Sequence, residues 1–190
     1  MNSPIVSQAR FRAATEATLE DWQIIELADA KWRREVGPQE GLLSLLASIE
    51  HADPQGAPVN LYTHSLQTAT RALNDGADDE LVVVALFHDL PEAITASEHG
   101  AVAAQLLQPH ISDARSWLLI HHGAFQDFYF ANHPTRDGTA RDRFRGSEHF
   151  EATDYFCRCY DQNSFDPHFK NLPLESFKPI VRRFFGVAPA

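Results

Sequence analysis

An apolar run, Leu81-Val82-Val83-Val84-Ala85-Leu86-Phe87, ends directly in His88-Asp89, and Pro91 stands two residues beyond the Asp. This junction constrains the chain more than any other feature. A carboxylate at the end of a buried segment costs several kcal/mol unless a cation compensates it. An adjacent imidazole and carboxylate is therefore a poor way to build a core and a good way to hold a metal. Four further residues have the chemistry to complete such a site: His64, His99, His122 and Asp161. The chain must fold so that these distant positions can meet at the end of one buried element.

The length, 190 residues, suffices for one domain with a sizeable core. We expect residues 1–14 to form a loose N-terminal arm and residues 15–190 a single domain. With 44% hydrophobic residues the chain is not a disordered one. The formal net charge of −10 argues against a nucleic-acid partner, which requires a basic face. No run approaches the roughly 18–20 apolar residues of a membrane span. Met1-Asn2-Ser3-Pro4-Ile5 lacks the basic start and apolar block of a secretory signal. A cytoplasmic protein with no membrane partner is the expectation. Cys157 and Cys159, two apart, do not share a helix face and read as two reduced thiols.

The patterning is helical throughout, and the expected class is all-α. Thr18, with Asp21 three residues on, forms a capping-box signal for a first helix carrying Trp22, Ile25 and Trp32 and stopped by Gly37-Pro38. A second helix is expected over residues 40–51, and a third from near Asn60 to Gly76, carrying His64. The valine run could be a buried strand, but Asp78-Asp79-Glu80 before it suits a helix N-terminus, so a helix is expected over residues 79–90. A fifth helix follows Thr95 or Ser97 and carries His99 until Pro109 stops it. A sixth starts at Ser112-Asp113, with Gly123 as its C-cap. After an irregular stretch, 131–147, a seventh helix covers residues 150–161. A short amphipathic piece covers 180–185, after Pro179.

Neutral imidazoles with carboxylates suit iron, manganese or zinc better than calcium or magnesium alone. Helical bundles build such sites by projecting ligands inward from facing helices. Six protein ligands exceed the three of a catalytic zinc and suit two metals bridged by one carboxylate. His51, His110, His133, His149 and His168 read as ordinary surface or core histidines. His121 competes with His122, which is preferred for its place beside Gly123.

The order His64, His88-Asp89, then a distant Asp161 resembles the HD-domain superfamily, helical metalloproteins that are mostly phosphohydrolases. His99 and His122, lying between, are similar to its two-metal members. The closer likeness is to the HD-domain oxygenases, namely myo-inositol oxygenase and the enzymes that cleave hydroxyalkylphosphonates. It rests on Pro58-Val59-Asn60-Leu61-Tyr62-Thr63-His64-Ser65-Leu66-Gln67-Thr68-Ala69, on Gly76-Ala77-Asp78, and on the spacing from His122 to Arg158 and Asp161. The resemblance covers about residues 50–185 and leaves the first helix without support. It implies an HD-domain helical bundle with a dinuclear site in its core. One iron would be held by His64, His88 and Asp161, the other by His99 and His122, with Asp89 as the bridge. The iron pair would work in its mixed-valent state, using O₂ to cleave a carbon–carbon or carbon–phosphorus bond of a small hydroxylated substrate.

The chain departs from that pattern after the His-Asp pair, where it reads Leu90-Pro91-Glu92. A Glu at this place is found in HD nucleotidases, where it assists the attacking water. A Lys of the phosphonate enzymes is replaced here by Gln126, whereas Arg158 matches an Arg they use for the anion. Glu92 in place of a basic group suggests a far end of the substrate that is cationic or rich in hydroxyls. The aromatic run Phe125-Gln126-Asp127-Phe128-Tyr129-Phe130 is core, or a pocket wall or lid. Glu92 and Arg158 are therefore the candidate catalytic residues, and Arg158, Gln126, Tyr129 and Glu92 the candidate substrate contacts. The alternative expectation is a phosphohydrolase acting on a nucleotide or small phosphate ester, with Mn²⁺ or Mg²⁺ and no O₂. A metal-stabilised binding module ranks behind both.

Overall fold

In the computed structural model residues 8–95, 97–130 and 132–186 are described, and among them every regular element is helical. The chain forms two compact units, residues 1–42 and 43–190. In the first unit, helix α1 (Leu19–Glu35) begins with the expected capping box: the Thr18 hydroxyl accepts from Asp21 N, and the Asp21 carboxylate accepts from Thr18 N. Such a cap contributes about 1 kcal/mol. The other Asp21 oxygen accepts from Arg10 N, and Phe11 lies 5.5 Å from Trp22, so the described residues before α1 lie against its first turns. Residues 1–7 of the expected arm are outside the described part. The helix stops at Gly37, whose φ of 70° is a left-handed conformation that glycine adopts without cost. Helix α2 (Gly37–Ser48) starts there rather than at residue 40, with Pro38 in its first turn, where no backbone donor is needed.

The second unit is built around helix α4 (Asp79–Phe87), capped by the Asp78 side chain accepting from Leu81 N. Val82 to Phe87 are all buried, so α4 is apolar on every side and lies at the centre. Helix α3 (Leu61–Asn74), capped by Asn60, packs on one side of it, and helix α8 (Leu174–Phe184) on another. Helix α5 (His99–Leu107) pairs with helix α6 (Asp113–Gln126), and α6 in turn with helix α7 (Phe150–Cys159). Three-residue or longer 3-10 turns follow α4 (Leu90–Ala93), α6 (Asp127–Tyr129) and α7 (Asp161–Asn163).

Several helix ends differ from the sequence expectation: α2 ends at Ser48 rather than 51, α4 at Phe87 rather than 90 and α7 at Cys159 rather than 161, and two further differences have a clear packing cause. Gly123 is not a C-cap: α6 runs on to Gln126 because the Phe125 side chain is fully buried, 4.9 Å from the Phe150 ring. Helix α8 begins at Leu174, not after Pro179, because Leu174, Phe177, Ile180 and Val181 form one buried face. That burial outweighs the roughly 3 kcal/mol cost of a proline inside a helix. No helix among the described residues is long and apolar enough to cross a membrane.

Candidate metal centre

All six sequence-selected His and Asp residues meet in the second unit. They form two groups sharing Asp89, one of His64, His88, Asp89 and Asp161, the other of Asp89, His99 and His122. Each arrives for a local reason. His64 lies in the first turn of α3, on the face that also carries Gln67, Thr70 and Arg71. That face binds the segment after α7. The Gln67 amide pairs with both the N–H and the carbonyl of Asp166, Thr70 Oγ1 accepts from Leu172 N, and Arg71 donates to Asn163 O. Asp161, the first residue of the 3-10 turn after α7, is thereby brought against α3. His88 is the C-cap of α4. Asp89, Leu90 and Pro91 then turn the chain into the Leu90–Ala93 turn, and Glu92 N donates to Asp89 O.

His99 opens α5 directly after Glu98, whose φ of 58° is left-handed. It meets His122 of α6 because Gly100 lets the two helices approach. A Cβ at Gly100 would run into the Leu119 carbonyl oxygen and stand 3.3 Å from His122 Cε1.

The four imidazoles present the same nitrogen to the centre. His64 Nδ1 donates to Ser164 O (3.0 Å), His88 Nδ1 to Ala85 O (2.9 Å) and His122 Nδ1 to Leu119 O (2.7 Å). His99 Nδ1 faces Glu92 Oε1 at 3.5 Å. Fixing Nδ1 as a donor turns the Nε2 lone pair toward the centre, where it could bind a metal. The Nε2 atoms of His64 and His88 lie 3.2 Å apart, and those of His99 and His122 lie 3.1 Å apart. Lone pairs converging at such distances need a shared cation or a proton.

The carboxylates complete the fit. Asp89 Oδ2 lies 3.2 Å from His64 Nε2 and 3.1 Å from His88 Nε2, whereas Oδ1 lies 3.2 Å from His99 Nε2 and 3.0 Å from His122 Nε2. One oxygen thus serves each group. Asp161 Oδ1 accepts from Gln126 Nε2 (2.7 Å), but Asp161 Oδ2 is buried with no hydrogen-bond partner. A buried carboxylate oxygen without a donor is costly and fits a metal ligand. The buried His and Asp groups can hold a metal ion.

Electrostatics inside the cluster oppose burial. Burial by itself would push the His64 pKa down, yet hydrogen bonds to Asp161 and Asp89 raise it to about 9. Burial would likewise raise Asp89 and Asp161, but the surrounding imidazoles hold both below the ordinary carboxylate range. Glu92 moves the other way, raised by partial burial and by the charge of Asp89.

A cavity of about 420 Å³ opens on the cluster. His64, Asp89, Glu92 and Gln126 line it, with an apolar wall that includes Leu61, Phe130 and Phe165. Of the sequence-predicted substrate contacts, Glu92 and Gln126 are therefore in place, Gln126 also orienting Asp161. Arg158 and Tyr129 are not among the described residues lining the cavity. Arg158 points to solvent with a 55% exposed side chain, near Asp154 (3.6 Å) and the Tyr155 ring. The physical reason is that α7 ends at Cys159, so Arg158 and Asp161 belong to different helices and share no face. The Tyr129 hydroxyl turns to Asp154 Oδ1 (3.5 Å). His121 packs 4.5 Å from both Trp117 and Phe144, which leaves His122 as the candidate ligand of the two.

Sequence reasoning missed Gly100, the Ser164 carbonyl, Phe165 and Arg136, which also lines the cavity. A glycine beside a candidate ligand was the one signal available, whereas a backbone carbonyl leaves no mark in sequence. Compared with protein-family models and with curated proteins, the chain matches none.

Proposed function

We propose that this chain is an HD-domain di-iron oxygenase that uses O₂ to cleave a carbon–carbon or carbon–phosphorus bond of a small hydroxylated substrate. The observation that carries this reading is the division of Asp89, with Oδ2 toward His64 and His88 and Oδ1 toward His99 and His122. A bridging carboxylate between two imidazole-rich groups suits a pair of redox-capable transition metals. The likeness of residues 58–69 to the oxygenase branch supports iron over the alternatives.

His64, His88 and Asp161 would hold one iron and His99 and His122 the other. Bound there, the pair supplies a Lewis acid for the substrate's hydroxyl oxygen and the electrons that activate O₂. The protein's own contribution is positional. The carbonyls of Ser164, Ala85 and Leu119 hold three imidazoles in one tautomer. Gln126 fixes the Asp161 carboxylate. Leu61, Phe130 and Phe165 give the cavity one apolar wall. Glu92, beside His99 and with a raised pKa, is placed to accept a proton at Oε1 from a hydroxyl held nearby.

The same position of Glu92 favours a second reading, a Mn²⁺- or Mg²⁺-dependent phosphohydrolase in which Glu92 orients the attacking water. The two separate in one experiment. Protein reconstituted with Fe(II) under anaerobic conditions is screened for O₂ uptake with hydroxyphosphonates and polyols. In parallel, Mn²⁺- or Mg²⁺-loaded protein is screened for phosphate release from nucleotides and phosphomonoesters. Substrate-dependent O₂ uptake is the expected result. Phosphate release without O₂ uptake would replace the oxygenase assignment.

A further inference from the structure

We propose that Arg136 is the anion-recognising residue of this cavity, so that its occupant is a small molecule with an oxyanion at one end and a metal-binding oxygen at the other. This deepens the functional reading above and rests on it for the second half of the statement only.

Arg136 is the only Arg or Lys among the described residues lining the cavity, which otherwise carries Asp53, Glu92, Asp89 and His64 as its chargeable groups. The chain as a whole is acidic, with 26 Asp and Glu against 16 Lys and Arg. The carboxylates of Asp53, Asp89 and Glu92 repel an entering anion, and Arg136 is the guanidinium on the wall that can bind one. The residue is also held ready. Its Nη1 lies 3.3 Å from Asp127 Oδ1, and its guanidinium lies 6.0 Å from the Phe130 ring, itself part of the wall. A guanidinium has five N–H donors in a planar fork. One contact to Asp127 sets its orientation and leaves donors for a carboxylate, phosphate or phosphonate group.

The segment is anchored nearby. Arg141 pairs with the Asp154 carboxylate of α7, and its guanidinium lies 3.4 Å above the Phe128 ring. Exposure gives the cavity a direction. The Arg136 side chain is 53% exposed and belongs at the mouth, whereas His64 and Asp89 are buried and form the floor. The cavity volume, about 420 Å³, lies toward the small end of ligand sites. The anion role expected of Arg158 thus falls on a residue in the irregular stretch 131–147.

Binding of inorganic phosphate to full-length Mn²⁺-loaded protein tests this, read by ³¹P relaxation, with metal content measured on each sample. The same titration by calorimetry on metal-free protein keeps the outcome separate from the fate of the metal reading. Arg136→Gln should weaken phosphate binding about tenfold or more in both forms, the loss of a charge-assisted hydrogen bond, with metal content unchanged. Arg158→Gln should change it less than about twofold. Acetate and methylphosphonate, run as competitors, distinguish a carboxylate from a phosphonate-type partner by which displaces phosphate at the lower concentration. Equal phosphate affinity in wild type and Arg136→Gln, or no phosphate binding by wild type in either form, overturns the proposal.

Discussion

The two halves of the candidate centre are built differently. The group of His64, His88 and Asp161 is part of the core: its side chains are 0–4% exposed, and both of its imidazoles are fixed by backbone carbonyls. The group of His99 and His122 is assembled at a helix crossing. His99 is 19% exposed, its outer nitrogen faces the accessible carboxylate of Glu92, and its position depends on Gly100 passing close to Leu119. Counting Asp89 in both, the first group offers four protein ligands and the second three. A ligand-rich, buried group favours permanent retention of its metal, and a ligand-poor one leaves coordination positions for exchange and for substrate. The difference rests on His99, because His122 is 1% exposed and its Nδ1 is fixed by the Leu119 carbonyl just as those of His64 and His88 are fixed by theirs, so burial and the partner of the outer nitrogen distinguish ligands of one residue type.

The change with the largest expected effect removes the contrast altogether. In Asp89→Ala both groups lose their shared ligand, and both metals and all activity should go. Metal analysis of the purified variant checks this, and retention of two metals would end the bridging assignment.

Next in size is Gly100→Ala, set against Gly123→Ala. Both glycines lie inside helices, but a Cβ at Gly100 meets the Leu119 carbonyl oxygen, whereas one at Gly123 meets nothing within 4 Å. Gly100→Ala should cost about 1–3 kcal/mol through overpacking and halve the metal content. Gly123→Ala should be neutral or stabilising by up to about 1 kcal/mol. Thermal melts with metal analysis read both effects. Full metal content in Gly100→Ala would show that the second group does not depend on the close crossing.

Chelation sharpens the same contrast. One metal should leave wild-type protein quickly and the other slowly, and His99→Ala should retain only the slow one. Loss of both in a single phase would mean that the two groups are equivalent.

The smallest effect is in pH dependence. In metal-free protein the raised His64 pKa, about 9, means that its protonated form is stabilised by Asp161 and Asp89. That stabilisation is fully present below the ordinary histidine value near 6.5 and is lost as pH rises through about 9. The urea midpoint of metal-free protein should therefore fall across that window. Metal uptake, which displaces the same proton, should strengthen across it. A metal-free midpoint that rises from pH 6.5 to 9 would contradict the arrangement of charges around His64.

Much of this architecture was legible in the sequence because caps and ligands carry strong local signals. Thr18 with Asp21, Asn60, Asp78 and Ser112 each cap the helix that their position suggests. The His-Asp junction marked the centre because a buried carboxylate demands compensation. What stayed hidden depended on tertiary packing. Gly123 looks like a helix end until the burial of Phe125 carries α6 past it. Arg158 looks like a neighbour of Asp161 until Tyr160 breaks the helical register between them. Arg136 lies in a stretch without periodicity, and only the course of the backbone between α6 and α7 brings it to the cavity.

The central claim is a carboxylate-bridged two-metal centre. It is tested most directly by iron content and low-temperature EPR of protein loaded anaerobically with Fe(II) and then partly oxidised. The account predicts two irons per chain and a magnetically coupled mixed-valence signal that disappears in Asp89→Ala. One iron per chain, or two without magnetic coupling, would contradict it.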